Sequence, residues 1–367
     1  MKRAWKWMAL AAALALAPAA HAQQERIVNA KLATRSAAAG LDREFRAIVA
    51  AQIAPGWLGY IVPVADGKHQ MCCWRNWNDG NNNCCGRCRL DNRPEGGFVS
   101  GTINDGKVHL ENDYFIVMFR AENHAVTKIR TFSQDCEIDA GGLPVTWLTD
   151  VNPAQSVALL SSFVRADQFL ESRDGDEEHR IGKQAVSAVA LHKDAAADTE
   201  LERYAAPDHP EALRRHVAFW LGSARGERGY RALQRMLRDD PSDKVREQAV
   251  FGMSVSKVPA ALDSMIATAK NDRSTKVRGQ ALFWLGQRAG KRAMETITAA
   301  IENDPETEIK KKAVFALSQL PKDEGVPMLI QVARSNKNPA VRKQAMFWLG
   351  QSNDPRALAF FEEVLKP

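Results

Sequence analysis

Apolar positions in the C-terminal half of the chain recur in one order every 32 residues. The ten-residue block Val277–Gly286 reads VRGQALFWLG. Its counterparts are Val245–Ser254 (VREQAVFGMS), Ile309–Ser318 (IKKKAVFALS), Val341–Gly350 (VRKQAMFWLG) and Leu213–Gly222 (LRRHVAFWLG). A weaker copy in the same register starts at Ile181 (IGKQAVSAVA). A fixed period of this length over six copies is the mark of a repeat array. At about 100° per residue, block positions 1, 5 and 9 fall on one helical face. They are Val, Ile or Leu, then Ala or Val, then Leu or Met, so that face is predicted core. Amphipathic stretches lie between blocks, such as Tyr230–Arg238, Ala260–Lys270 and Ala293–Glu302. Each block is therefore predicted to be the second helix of a helical hairpin.

The N-terminal half has a different period. Short alternating or β-branched runs are punctuated by Gly, Asn-Gly and Asp-Gly: Gly59–Val64, Gly97–Ile103, Val108–Leu110, Tyr114–Phe119 and Val126–Phe132. Such runs predict strands, and Asn104-Asp105-Gly106 a hairpin turn. Before them, Leu41, Phe45, Ile48 and Val49 stand at helical spacing within Ser36–Gln52. Four segments follow: 1–22, a leader; 23–52, a lead-in with one helix; 53–148, a β-rich module; and 149–367, a helical repeat array.

The spacing also suggests where the hairpins turn. Asp240, Asp272, Asp304 and Asn336 lie five residues before a block, as Asp208 does for the first. They suit helix starts, where a short polar side chain accepts from free backbone N–H groups. Gly222, Gly286 and Gly350 are expected to stop their helices.

The Asp, Val-Arg, Ala and Leu-Gly positions together resemble HEAT repeats, in the short form of phycobilisome-lyase-type proteins, over roughly residues 150–367. The resemblance implies a right-handed α-solenoid that binds partners on its concave face and implies no catalytic residues. Nothing in the residues supports carrying a bilin-attaching activity over. Position 2 is basic in all five clear blocks (Arg214, Arg246, Arg278, Lys310, Arg342). Six residues after the Asp or Asn, it predicts a ladder of acid–base pairs, with a basic phosphate groove as the rival. Position 8 alternates Trp220, Gly252, Trp284, Ala316, Trp348, and position 10 alternates Gly and Ser. Bulky beside tiny is how neighbouring layers interdigitate without voids. Position 7 is always Phe: Phe219, Phe251, Phe283, Phe315 and Phe347. It points away from the predicted core, flanked at position 4 by His216, Gln248, Gln280, Lys312 and Gln344. Two readings stand: an exposed apolar stripe with Gln248, Gln280 and Gln344 beside it, made to hold a protein or peptide, or Phe rings folded sideways between neighbouring helices.

Charge and leader narrow the partner. Residues 1–22 combine Lys2, Arg3 and Lys6, an apolar run over Met8–Ala20 and Ala20-His21-Ala22, the pattern of a cleaved export signal near Ala22. The run is too short for a lasting membrane anchor. A periplasmic or secreted location is expected, with no stable membrane insertion after cleavage. Loss of the three leader cations lowers the formal net charge from +6 to +3. That excess is too small to argue for nucleic acid.

All six cysteines precede the repeats: Cys72, Cys73, Cys84, Cys85, Cys88 and Cys136. An even count in an exported chain predicts three disulfides in a loop-rich module. Neighbouring cysteines rarely bond to each other, so each is expected to seek a distant partner. The rival is a metal- or redox-handling Cys72–Cys88 module, with His69 nearby and the repeats docking its client. Asp174–Glu178 lacks the spacing of a Ca²⁺ loop. No catalytic motif stands out, and no cofactor is implied. His124 near Asp135 or Cys136 reads as an ordinary polar contact. The expected function is a binding scaffold without catalysis.

Overall fold

The computed structural model describes residues 26–66, 88–90, 113–134, 136–169, 177–288 and 290–366. They form two compact units, one up to Arg203 and one from Tyr204. No described helix is long and apolar enough to cross a membrane.

The first unit is built on a five-stranded sheet. Its elements are β1 (Ile27–Val28), β2 (Lys31–Ser36), α1 (Leu41–Ala51), β3 (Gly56–Pro63), β4 (Cys88–Arg89), β5 (Tyr114–Glu122), β6 (Ala125–Ser133), β7 (Ile138–Asp139), β8 (Pro144–Thr149), α2 (Pro153–Ser161), α3 (Glu177–Leu191) and α4 (Ala195–Tyr204). The strand order is β2-β8-β3-β5-β6, parallel across the first three and antiparallel across the last. A small sheet of order β1-β7-β4 forms beside it. Both faces of the central strands are covered, which is why β3 and β5 read as nearly continuous apolar runs. On one face Trp57, Ile61, Ile116, Met118 and Trp147 pack with Ile27, Leu90 and Ile138. On the other, Phe119 meets Phe45 of α1 edge-on at 4.8 Å. Gly59 lies opposite Met118, where a Cβ would sit 2.2 Å from the sulfur.

The strands expected at Gly59–Val64, Tyr114–Phe119 and Val126–Phe132 are present, as is the lead-in helix, which starts at Leu41 behind Gly40. Gly97–Ile103, Val108–Leu110 and the Asn104–Gly106 turn lie outside the described residues. So do Cys72, Cys73, Cys84, Cys85, His69 and Asp174–Gly175–Asp176. The strand β2 was not expected. It is an exposed edge strand whose polar sequence, KLATRS, carries no alternation. Because β2 pairs with β8, the lead-in shares one sheet with the β-rich module. The weak repeat copy at Ile181 is helical, in α3. It packs on the sheet edge, where Gln184 Oε1 accepts from Ile129 N of β6 at 2.9 Å.

The second unit is a row of helices. Block helices are α5 (Glu211–Ala224), α7 (Asp243–Val255), α9 (Thr275–Arg288), α11 (Thr307–Ser318) and α13 (Pro339–Gln351). The intervening helices are α6 (Gly226–Asp239), α8 (Ala261–Asn271), α10 (Lys291–Asn303), α12 (Lys322–Ser335) and α14 (Pro355–Leu365). Each block helix packs on the next block helix, and intervening helices touch their own neighbours, which gives two layers. Side chains at block positions 1, 5 and 9 fill the space between the layers; none is more than 1% exposed.

Two expectations are corrected. Asp240, Asp272, Asp304 and Asn336 do not start the block helices; they close the preceding ones as C-terminal caps. Each side chain turns forward instead, accepting from the backbone N–H two residues on at 2.8–2.9 Å. A residue so placed bridges a short loop, and Ser242 and Asn338 cap the helices that follow. Gly222, Gly286 and Gly350 do not stop their helices, which run on to Ala224, Arg288 and Gln351. Their role is closeness. A Cβ on Gly222 would lie 2.0 Å from the Gly252 carbonyl oxygen, and one on Gly286 would lie 2.5 Å from that of Ala316. Gly350 faces nothing within 4 Å.

Candidate functional site

The expected acid–base ladder is present. Arg214 meets Asp240 through bonds of 2.8 and 3.1 Å. Arg246 meets Asp272 at 3.0 and 3.1 Å. Arg278 and Asp304 approach to 3.8 Å. Three of them also reach back six residues: Arg246, Arg278 and Arg342 donate to the carbonyls of Asp240, Asp272 and Asn336, while Arg214 donates to those of Pro207 and His209. One guanidinium thus ties its own loop to the loop of the next repeat. Lys310 departs from the pattern, donating to the Glu302 carbonyl at 2.7 Å, and Asn replaces Asp at 336. The Arg214, Arg246 and Arg278 side chains are at most 10% exposed, so they join repeats and do not line a phosphate groove.

The outer face of the block row is aromatic. Phe219 stacks on Phe251 at 5.8 Å and 19°, and Phe283 on Phe315 at 5.7 Å and 12°. Phe251 tilts over Trp284 and Phe315 over Trp348, both at 4.8 Å. Within α5, α9 and α13 the adjacent Phe and Trp meet edge-on at 5.2, 4.9 and 5.0 Å. Eight rings therefore form one unbroken series from Trp220 to Phe347. The position-7 Phe residues are not a freely exposed stripe. Phe219, Phe251, Phe283 and Phe315 lean along the row and are half-buried, because the ring at each step covers the next. Phe347 is 54% exposed. The indole N–H groups of Trp220, Trp284 and Trp348 are buried without an acceptor among the described residues.

The packing of the row alternates. Where Gly faces Gly or Ala, backbone approaches backbone and Phe stacks flat on Phe. Between α7 and α9 and between α11 and α13, an indole lies under the Phe ring instead. A cleft of about 260 Å³ opens at the first of these indoles. Phe251 and Trp284 line it with Gln248 and Gln280, and Arg215, Lys244 and Glu247 line its remainder. It thus gathers three of the residues expected to bind a partner. Gln344, Phe219, Phe283, Phe315 and Phe347 stand elsewhere on the row.

Sequence reasoning missed a second polar seam. Residues 31 apart pair across neighbouring repeats: Ser242 Oγ donates to Glu211 at 2.6 Å and Ser274 Oγ to Asp243 at 2.7 Å. Thr275 Oγ1 donates to Glu306 at 2.6 Å, and Asn338 Nδ2 to Thr307 at 3.0 Å. These hydroxyl bonds come first among the causes that hold Glu211, Asp243 and Glu306 below their ordinary carboxylate values. It also missed a buried trio in the first unit. Ser156 Oγ donates to the Tyr60 hydroxyl at 2.8 Å, and His192 Nε2 lies 2.8 Å from Ser156 Oγ. All three are 0% exposed, so this Ser–His contact ties helix to sheet where no substrate arrives. His124 Nδ1 contacts the Ala50 carbonyl at 2.7 Å, the ordinary polar contact expected of it.

Comparison with known families places the last helices. Residues 294–367 match HEAT repeats. The helix order, period and two-layer packing extend the same HEAT-like pattern across the second unit. No curated protein matches the chain. Among solved structures, the complex of CpcE and CpcF of phycocyanin lyase from Nostoc sp. PCC7120 is similar, at 23% identity. It covers 42% of this chain and 99% of that one, with a TM-score of 0.32. Human deoxyhypusine hydroxylase in complex with glycerol matches at 14% identity, covering 57% and 90%, TM-score 0.28. Kap121p matches at 14% identity, covering 57% and 27%, TM-score 0.36. Among the described residues no group of three or more His, Cys, Asp or Glu is gathered for a metal.

Proposed function

We propose that the protein is an exported interaction scaffold, whose HEAT-like repeats hold an extended protein segment along the face of the block helices turned away from the core between the layers, taken here as the concave face. The observation that carries this reading is the cleft at Phe251 and Trp284. Half-buried aromatic rings there stand beside the amides of Gln248 and Gln280. Rings give apolar contact area at little entropic cost, and amides both donate to and accept from a peptide backbone. The export signal at residues 1–22 supports a periplasmic or secreted setting. A stapling role for the six cysteines belongs to this reading, and the burial of Cys136 among the apolar side chains of the first unit suits it.

The test is site-specific photo-crosslinking on the full mature chain in its own envelope. A photoreactive residue replaces Gln248, Gln280 or, as control, Glu295, which is exposed on α10 in the other layer. Partner adducts at Gln248 and Gln280 but not at Glu295 are expected. Equal adducts at all three, or none at the two glutamines, remove the assignment to this face.

A further inference from the structure

The block-helix face is charged as well as aromatic, and the charge has a sign. Helical periodicity places one residue before each block, with positions 3, 4 and 7, on the face that lines the cleft. Over α5 to α13 these sites bring six cations: Arg215, Lys244, Lys276, Lys311, Lys312 and Lys343. They bring two anions, Glu247 and Glu308. Part of the excess is neutralised nearby. Lys311 pairs with Glu308 at 3.0 Å and Lys244 with Glu211 at 3.4 Å, and Asp243 lies near Lys276. The remainder sits beside the rings. Arg215 lines the cleft with the Glu211 carboxylate near it, and its Nε has no acceptor among the described residues. Lys312 is drawn inward by a missing side chain: a Cβ on Gly279 would lie 2.2 Å from Lys312 Cδ and 2.7 Å from its Nζ. The absence of that Cβ lets the lysine lie across α9 beside Gln280.

The arrangement also repeats. Sixty-four residues beyond Phe251 and Trp284 come Phe315 and Trp348, in the same tilted contact at the same 4.8 Å. Around the first pair stand Arg215, Lys244, Glu247 and Gln248; the corresponding positions around the second hold Gly279, Glu308, Lys311 and Lys312. Glu211 offsets the excess of the first set through Lys244 and Arg215, whereas Lys312 leaves the second set one positive charge in excess.

Resting on the groove reading above, we infer that this face binds an acidic extended segment, in which carboxylate and aromatic side chains recur at a spacing set by two repeats. The aromatic side chains lie on the Phe–Trp pairs, and the carboxylates lie toward Arg215 and Lys312. Neighbouring packed helices are separated by about 10 Å, so two repeats span about 20 Å. An extended chain covers that in about six residues at about 3.3 Å each.

Three fluorescein-labelled peptides test this against the full mature chain by anisotropy. One carries two Glu-Phe dyads starting six residues apart in a Gly-Ser spacer; the others replace both Glu with Gln or with Lys. The acidic peptide is expected to bind about tenfold tighter than its Gln analogue, the sum of a few exposed ion pairs. Added salt removes the difference. Arg215→Ala and Lys312→Ala lower the affinity of the acidic peptide and leave that of the Gln peptide unchanged. Glu247→Gln raises the acidic peptide's affinity. Melting temperature and circular dichroism confirm that each variant is folded. Equal binding of the acidic and Gln peptides overturns the charge inference and leaves the groove standing. Binding by none of the three also overturns it, and crosslinking at Gln248 and Gln280 then decides the groove separately.

Discussion

Arg246 and Asp272, 26 residues apart, join two repeats through a two-pronged contact at 3.0 and 3.1 Å, with side chains 0% and 6% exposed. The same guanidinium bonds the Asp240 carbonyl at 2.9 Å. A buried cation in such a place is costly to orphan. Asp272→Ala is expected to destabilise the second unit by about 3–5 kcal/mol. The double change Arg246→Met with Asp272→Leu is expected to recover most of that loss, because it removes both charges together. Lys310→Ala, at the rung where the ion pair is absent, is expected to cost under about 1 kcal/mol. Urea titration of the four proteins gives the order; equal losses at 272 and 310 would contradict the ladder.

The glycines make a steric prediction with an internal control. Gly222→Ala puts a methyl group 2.0 Å from the Gly252 carbonyl oxygen, backbone that cannot step aside. It is expected to lower stability by about 1–3 kcal/mol. Gly350→Ala meets nothing and gains helix propensity, so it is expected to be neutral or to stabilise by up to about 1 kcal/mol. Thermal melts that rank the two the other way would remove the close-approach explanation.

The seam of 31-residue contacts predicts acid sensitivity. Glu211, Asp243 and Glu306 are held below their ordinary values of 4.5, 3.8 and 4.5, first by hydroxyl bonds from Ser242, Ser274 and Thr275. A carboxyl depressed in the folded state contributes stability above its unfolded value. That contribution is lost as pH falls through the folded value. The melting temperature is therefore expected to drop below about pH 4, and to drop less steeply in the variant Glu211→Gln, Asp243→Asn, Glu306→Gln. Parallel curves for the two proteins would show that the seam contributes nothing.

Burial pushes the Tyr60 phenol well above its ordinary value of 10.0, with the Ser156 hydrogen bond acting the other way. A raised acid contributes stability that is full below the unfolded value and is lost as pH rises toward the folded one. Ultraviolet titration is expected to show one tyrosine that ionises only as the first unit unfolds, and Tyr60→Phe abolishes that step. Ser156→Ala leaves a buried phenol short of a partner and is expected to cost about 1–3 kcal/mol.

The repeat helices were legible because their signal is local. Positions 1, 5 and 9 repeat the same residue classes, and every block is helical. The Arg ladder was legible too, although only as a pairing; its Asp residues are caps of the preceding helix, a distinction that depends on where a loop begins. The 31-residue seam was not legible, because each rung uses a different pair: Glu with Ser, Asp with Ser, Thr with Glu, Thr with Asn. The strand β2 was hidden for a similar reason. It is an edge strand defined by its pairing with β8, more than a hundred residues away, and not by its own pattern. Of the expected partner-binding set, Phe251, Gln248 and Gln280 share a cleft. Arg215, Lys244 and Glu247, which line it too, were hidden because their positions vary in charge from block to block.

Alternating packing gives the row of block helices uneven flexural stiffness. At Gly222 against Gly252, and at Gly286 against Ala316, backbone rests on backbone, and such contacts neither compress nor slide. At Phe251 with Trp284, and at Phe315 with Trp348, flat rings separate the helices, and packed helices shear across side chains of this kind. Mechanically the array is a string of rigid two-helix links with a greased joint between them. The cleft lies at such a joint, so whatever fills it also splints it.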